Sequence, residues 1–91
     1  MLDAVPSPMP VERRALANTV RELRARERLS QESVSQSANL GRGFVSELET
    51  GRRRVSFEAV VAVADVLGLT MAEVGERFDA ARARARRGES D

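Results

Sequence analysis

Between Ser30 and Gly51 the chain reads SQESVSQSANLGRGFVSELETG, and Arg52, Arg53 and Arg54 follow at once. These side chains form directed hydrogen bonds but do not make a bond-breaking set. The chain has no His, Cys, Trp, Tyr or Lys, so the commonest general base, the thiol nucleophile and the Schiff-base amine are all missing. The carboxylates form no pair placed for acid and base roles. No catalytic residue, metal site or cofactor is expected, and the chain is not expected to be an enzyme. The chemistry open to these residues is recognition. A guanidinium pairs bidentately with guanine O6 and N7, hydroxyls and amides reach phosphates, and a carboxylate accepts from cytosine N4.

Spacing gives that chemistry a direction. Gln31 to Ala38 and Arg42 to Thr50 read as two short helices with only Asn39, Leu40 and Gly41 between them. Two helices joined by so tight a turn form the unit that lays its second helix in a DNA major groove. Arg42 then opens the reading helix, where side chains meet base edges. Ser46 and Glu47 lie on its outer face; Glu47 either accepts from cytosine or disfavours wrong sites by repelling phosphate. Val45 and Leu48 supply the inward face, which leaves Phe44 to pack on a thymine methyl or sideways on the preceding helix. Gln31 opens the first helix of the pair, where free N–H groups and the helix dipole attract phosphate. The Arg52–Arg54 loop beside the reading helix is expected to hold phosphates too.

The flanking elements must position this unit. The 91 residues support one all-α domain of about five helices with a modest core, which would gain from oligomerisation. Residues 1–10, with Pro6, Pro8 and Pro10 alternating, read as an extended arm. A first helix is predicted over Val11–Arg28, with Leu16, Val20 and Leu23 as its stripe. Ser30 is a good N-cap for the second helix, with Val34 and Ala38 buried and Ser35 a small neighbour. Asn39 suits a left-handed turn, and Gly51 ends the third helix. Ser56 caps a fourth helix, FEAVVAVADVL, that is apolar on nearly every side and so should be buried against several neighbours or a partner chain. Thr70 to Glu73 reads as a capping box for a fifth. Its stripe of Met71, Val74 and Phe78, with Leu69 before it, is the expected dimer surface. The domain is taken as residues 11–79, with residues 80–91 an Arg-rich tail. ARARARR in that tail serves as a second DNA contact, a dimer-stabilising end, or simply cations at a helix C-terminus.

All 15 basic residues are Arg, and all but Arg42 cluster at 13–14, 21–28, 52–54 and 77–87, although the net charge is only +1. No apolar run approaches the roughly 18 residues that a membrane span needs, and no signal peptide is apparent, which fits a cytoplasmic location.

From about Val20 to Phe78, LRARERLSQE, then FVSELETGRRR, then ADVLGLTMAEV resemble the lambda-repressor-like, Cro/cI-type (XRE) helix-turn-helix family in order and spacing. Within it, NLGRGFVSELETGRRR resembles the controller proteins of restriction-modification systems, small dimeric regulators of their own operons. The resemblance implies a homodimer on an inverted-repeat operator. Arg42 would lead base readout, while Ser30, Gln31 and Thr50 clamp the backbone. It also implies a structural ion pair between Arg24 and Glu49. Two departures stand out. Ser35 occupies a position usually taken by Ala, and Gly41 and Gly43 offer no side chains where bases are often touched. A second reading makes the chain an antitoxin or co-regulator whose main partner is a protein, such as a toxin or polymerase.

Overall fold

A computed structural model describes residues 10–88. Most of the proline-rich arm and residues 89–91 of the expected tail lie outside them. Five α-helices follow one another among the described residues: α1 (Val11–Arg26), α2 (Gln31–Ser37), α3 (Phe44–Glu49), α4 (Phe57–Val66) and α5 (Met71–Arg86).

Local chemistry sets the boundaries. Ser30, Ser56 and Thr70 are N-caps whose hydroxyls accept from Ser33, Ala59 and Glu73 N–H. The Thr70–Glu73 pair completes a reciprocal capping box, with the Thr70 N–H donating to Glu73 Oε1 at 2.8 Å. α1 ends at Arg26, two residues short of expectation, because Arg28 takes a left-handed φ of 58°. The Leu29 N–H then returns to the Arg24 carbonyl, closing the helix end. Asn39, φ 59°, makes the turn after α2.

Val20, Leu23, Val34, Val45, Leu48, Val63 and Leu67 form the buried core, so every helix from α1 to α4 contributes. α5 packs along α1, closing the bundle. Val74 reaches into that core beside Leu16, Val20 and Val63 and is only 7% exposed. α5 also runs through the Arg-rich segment expected as a tail. Ala81 and Ala85, four apart on one face, are buried, so residues 80–86 belong to the packed domain. Outside that face, Arg84 pairs with Glu22 at 3.6 Å and Arg86 with Glu12 at 3.8 Å.

α4 departs from its expected burial. Ala59, Val63 and Ala64 are inside, but Phe57 is 70% exposed. Its ring, in the first turn of α4, stays outside the packed face. There it flanks an apolar groove lined by Leu16, Val60, Met71, Gly75 and Phe78.

Candidate nucleic-acid interface

α3 is six residues long, too short to hold itself in water, and four outside contacts fix it. Val45 and Leu48 anchor its inner face in the core. At its N-terminus the capping residue is Gly43, φ 78°, which has no side chain to accept from the first turn. Ser35 of α2 supplies the acceptor instead, as the buried Val45 N–H donates to its Oγ at 3.1 Å. At its C-terminus, Arg21 Nη2 donates to the Glu49 carbonyl and Arg13 Nη1 to that of Gly51, both at 3.2 Å.

The fourth contact is ionic. Arg24 Nε and Nη2 grip the two Glu49 oxygens at 2.8 and 3.0 Å, while Nη1 donates to the Leu29 carbonyl at 2.8 Å. The Glu49 side chain is 4% exposed and that of Arg24 18%. Hydrogen bonding to Glu49 holds the Arg24 guanidinium above its ordinary pKa against the opposing effect of burial, with the charge of Glu49 adding to the rise. Gln31 Nε2 also donates to Glu49 Oε1 at 3.0 Å. The amide expected at a phosphate is therefore turned inward, because a buried carboxylate is the stronger acceptor within its reach.

Arg42 does not open α3. The left-handed Gly43 interrupts the helix, and Arg42 stands exposed in the turn ahead of it, engaged by none of the described residues. Phe44 is the first helical residue and is half-buried against the core edge. Ser46 is half-buried and Glu47 exposed on the outer side of α3. Thr50 Oγ1 donates to the Glu47 carbonyl at 3.0 Å, capping the helix end, and Ser30 Oγ is the acceptor at the start of α2.

Arg52, Arg53 and Arg54 are all exposed beside α3. Arg53 alone folds back. Its Nε donates to Glu47 Oε1 at 2.6 Å, and its guanidinium carbon lies 4.8 Å from the Phe44 ring centroid. Two of the contacts missing from the sequence reading, Ser35 to Val45 and Arg53 to Glu47, join residues 10 and 6 positions apart across turns, beyond the reach of helical periodicity. The only sequence signal for the first was a hydroxyl where the resembled family usually has Ala.

The arrangement is a short helix held from behind, with an arginine at each end of its free face and no cluster of metal-ligating residues among the described residues. No described helix is long and apolar enough to cross a membrane.

A family model described as a helix-turn-helix domain matches residues 15–77. The fold resembles that of the clp gene regulator ClgR from Corynebacterium glutamicum, with 30% identity and a TM-score of 0.79, covering 89% of this chain and 86% of that one. It also resembles the restriction-modification controller protein C.AhdI from Aeromonas hydrophila, at 29% identity and a TM-score of 0.68, over 71% of this chain and 98% of that one. A hypothetical transcription factor, NHTF from Neisseria, aligns at 27% identity and a TM-score of 0.66, over 78% and 85% of the two chains. A comparison with curated protein sequences finds no match.

Proposed function

The chain belongs to the lambda-repressor-like helix-turn-helix family of DNA-binding regulators, and from that premise we propose that it acts as a homodimer on an inverted-repeat operator. Control of its own operon, as in controller proteins, is part of this proposal. One observation carries the reading: α3 presents a free outer face between Arg42 and the Arg52–Arg54 loop while its inner face and both ends are fastened to the domain.

α3 enters the major groove with Arg42 leading base readout and Ser46 beside it. Phe44 offers its ring edge to a thymine methyl. Arg52, Arg54, Ser30 and Thr50 contact phosphates, and Gln31 contributes chiefly through its backbone at the start of α2. The Arg24–Glu49 pair sets the angle of the reader and touches no DNA. A regulator working on the chromosome of a bacterium would be cytoplasmic.

For the dimer, the geometry favours the groove between α4 and α5. Phe57 protrudes beside a wholly apolar depression, so two copies related by a two-fold axis can each insert Phe57 into the other's groove. Met71 and Phe78 line it, and Leu69 stands half-buried at the start of α5. Val74 belongs to its floor and thus to the monomer's own core.

Selection of bound duplexes from random DNA by the full chain tests the whole reading. The expected product is an inverted repeat with half-sites about 10 bp apart, centre to centre. Enrichment of no sequence would overturn it and favour the antitoxin or co-regulator reading.

A further inference from the structure

Glu47, Arg53 and Phe44 make a contact set that a phosphate clamp does not need. A phosphate-holding arginine needs no partner within its own chain, since its open fork and full charge suffice. Arg53 is instead fixed twice, by its short hydrogen bond to Glu47 and by the Phe44 ring beneath it. Phe44 and Glu47 lie three apart and thus on one face of α3. The loop arginine is thereby drawn onto the outer, N-terminal part of the reading helix. Glu47 engages only Nε, so the far edge of the fork, Nη1 and Nη2, is engaged by none of the described residues. That edge has the spacing to pair with guanine O6 and N7.

We propose that Arg53 reads a guanine in each half-site as a fork held in place by Glu47 and Phe44, and that Glu47 is a positioning residue which acts through Arg53 without touching a base. Three physical effects support this. A carboxylate already bonded to a guanidinium has little left to offer cytosine N4. Its charge also offsets that of Arg53, which makes the pair a poor phosphate ligand and a better reader of a neutral base edge. Finally, a pre-ordered fork gives up less rotamer freedom on binding than the unrestrained Arg42 does, so more of its hydrogen-bond energy appears as discrimination. Phe44 beside the fork places a ring edge next to the base pair flanking that guanine.

The proposal rests on the DNA-reading function argued above, and the test separates the two. Wild-type chain, Arg53→Ala, Arg53→Lys, Glu47→Gln and the Glu47→Gln/Arg53→Ala double variant are each titrated with the selected operator. The same series is run on the operator with each guanine replaced in turn, and on a scrambled duplex. Both substituted positions lie on the surface, and thermal melts check that each variant stays folded. Arg53→Ala should abolish the preference for one guanine, a loss of roughly 5- to 150-fold in discrimination. Arg53→Lys should lose that preference while keeping affinity for scrambled DNA. Glu47→Gln should weaken the same preference several-fold, raise scrambled-duplex affinity, and have no further effect on the preference once Arg53 is Ala. A change in preference from cytosine to adenine in Glu47→Gln would overturn the proposal, because it would mean that position 47 itself touches a base. Equal weakening of all duplexes by Arg53→Ala, or an unaltered guanine preference in Arg53→Lys, would overturn it as well. Failure of the wild-type chain to prefer any sequence would instead overturn the function on which it rests, and the proposal with it.

Discussion

Ser35 holds an N–H that the reading helix cannot cap by itself. Replacing it with Ala leaves the buried Val45 N–H without an acceptor, and we expect a loss of about 1–2 kcal/mol in denaturant melts with little change to the surface. Arg42 is the opposite kind of residue, unrestrained and exposed. Arg42→Ala should cost roughly 1–3 kcal/mol on the cognate operator and much less on random DNA in competition titrations, whereas equal losses would mark it as a phosphate contact. That Arg42 and the Arg52–Arg54 loop flank the exposed side of α3 was legible in the sequence, because both adjoin it in the chain. Their states were not. The left-handed Gly43 puts Arg42 in the turn, and the pull of a buried carboxylate turns Gln31 inward. Such outcomes depend on which groups meet in space.

At the scale of elements, α3 is only as rigid as its fastenings. Arg24→Ala would leave the buried Glu49 carboxylate with Gln31 as a donor and Arg21 as a looser cation at 4.0 Å, and we expect a loss of about 3 kcal/mol, the low end for breaking a buried pair but large against the roughly 5–15 kcal/mol that holds a domain together. DNA affinity should fall with it even where folding is restored by cooling or osmolyte. The start of α5 carries a pH dependence. The Thr70 backbone N–H and hydroxyl hold the Glu73 carboxylate below its ordinary value of 4.5. The folded state thus favours the charged form, so the stabilisation is present above pH 4.5 and fades as pH falls through the lowered value. Glu73→Gln should flatten the acid limb of melting temperature against pH by lowering its neutral plateau toward the acid values. The starts of α2, α4 and α5 were the most legible feature, since Ser30, Ser56 and Thr70 announce themselves locally. Helix ends at Arg26 and Arg86 were less so: one depends on a single left-handed residue, the other on small alanines whose partner lies far back in the chain.

For the molecule as a whole, the sequence pattern conveyed five helices and a helix-turn-helix frame, but it could not separate core from contact surface on two helices rich in apolar residues. Both Phe57 and Val74 fall on apolar stripes, yet one is exposed and the other enclosed. This reverses the choice of residue for testing assembly. Val74→Asp should unfold the monomer, whereas Phe57→Glu should leave it folded and shift sedimentation from dimer to monomer. Cooperative binding to the two half-sites should be lost in parallel. A Phe57→Glu chain that still sediments as a dimer would place the two-fold axis elsewhere.

The closure of α5 on α1 also orders events in time. Roughly sixty residues separate the starts of the two helices, and a ribosome adding about 5–20 residues per second makes that stretch in on the order of 3–12 s. Through that interval the apolar stripe of α1 has no α5 to cover it. In the proposed dimer the DNA-reading helix is synthesised early, but the groove that would pair two copies does not exist until Met71 and Phe78 arrive. On that reading each nascent chain passes through a period as a lone half-reader, unable to grip an inverted repeat. Occupancy of an operator then responds to finished protein with a built-in delay, and delay of that kind sets the tempo of any circuit in which a regulator controls its own synthesis.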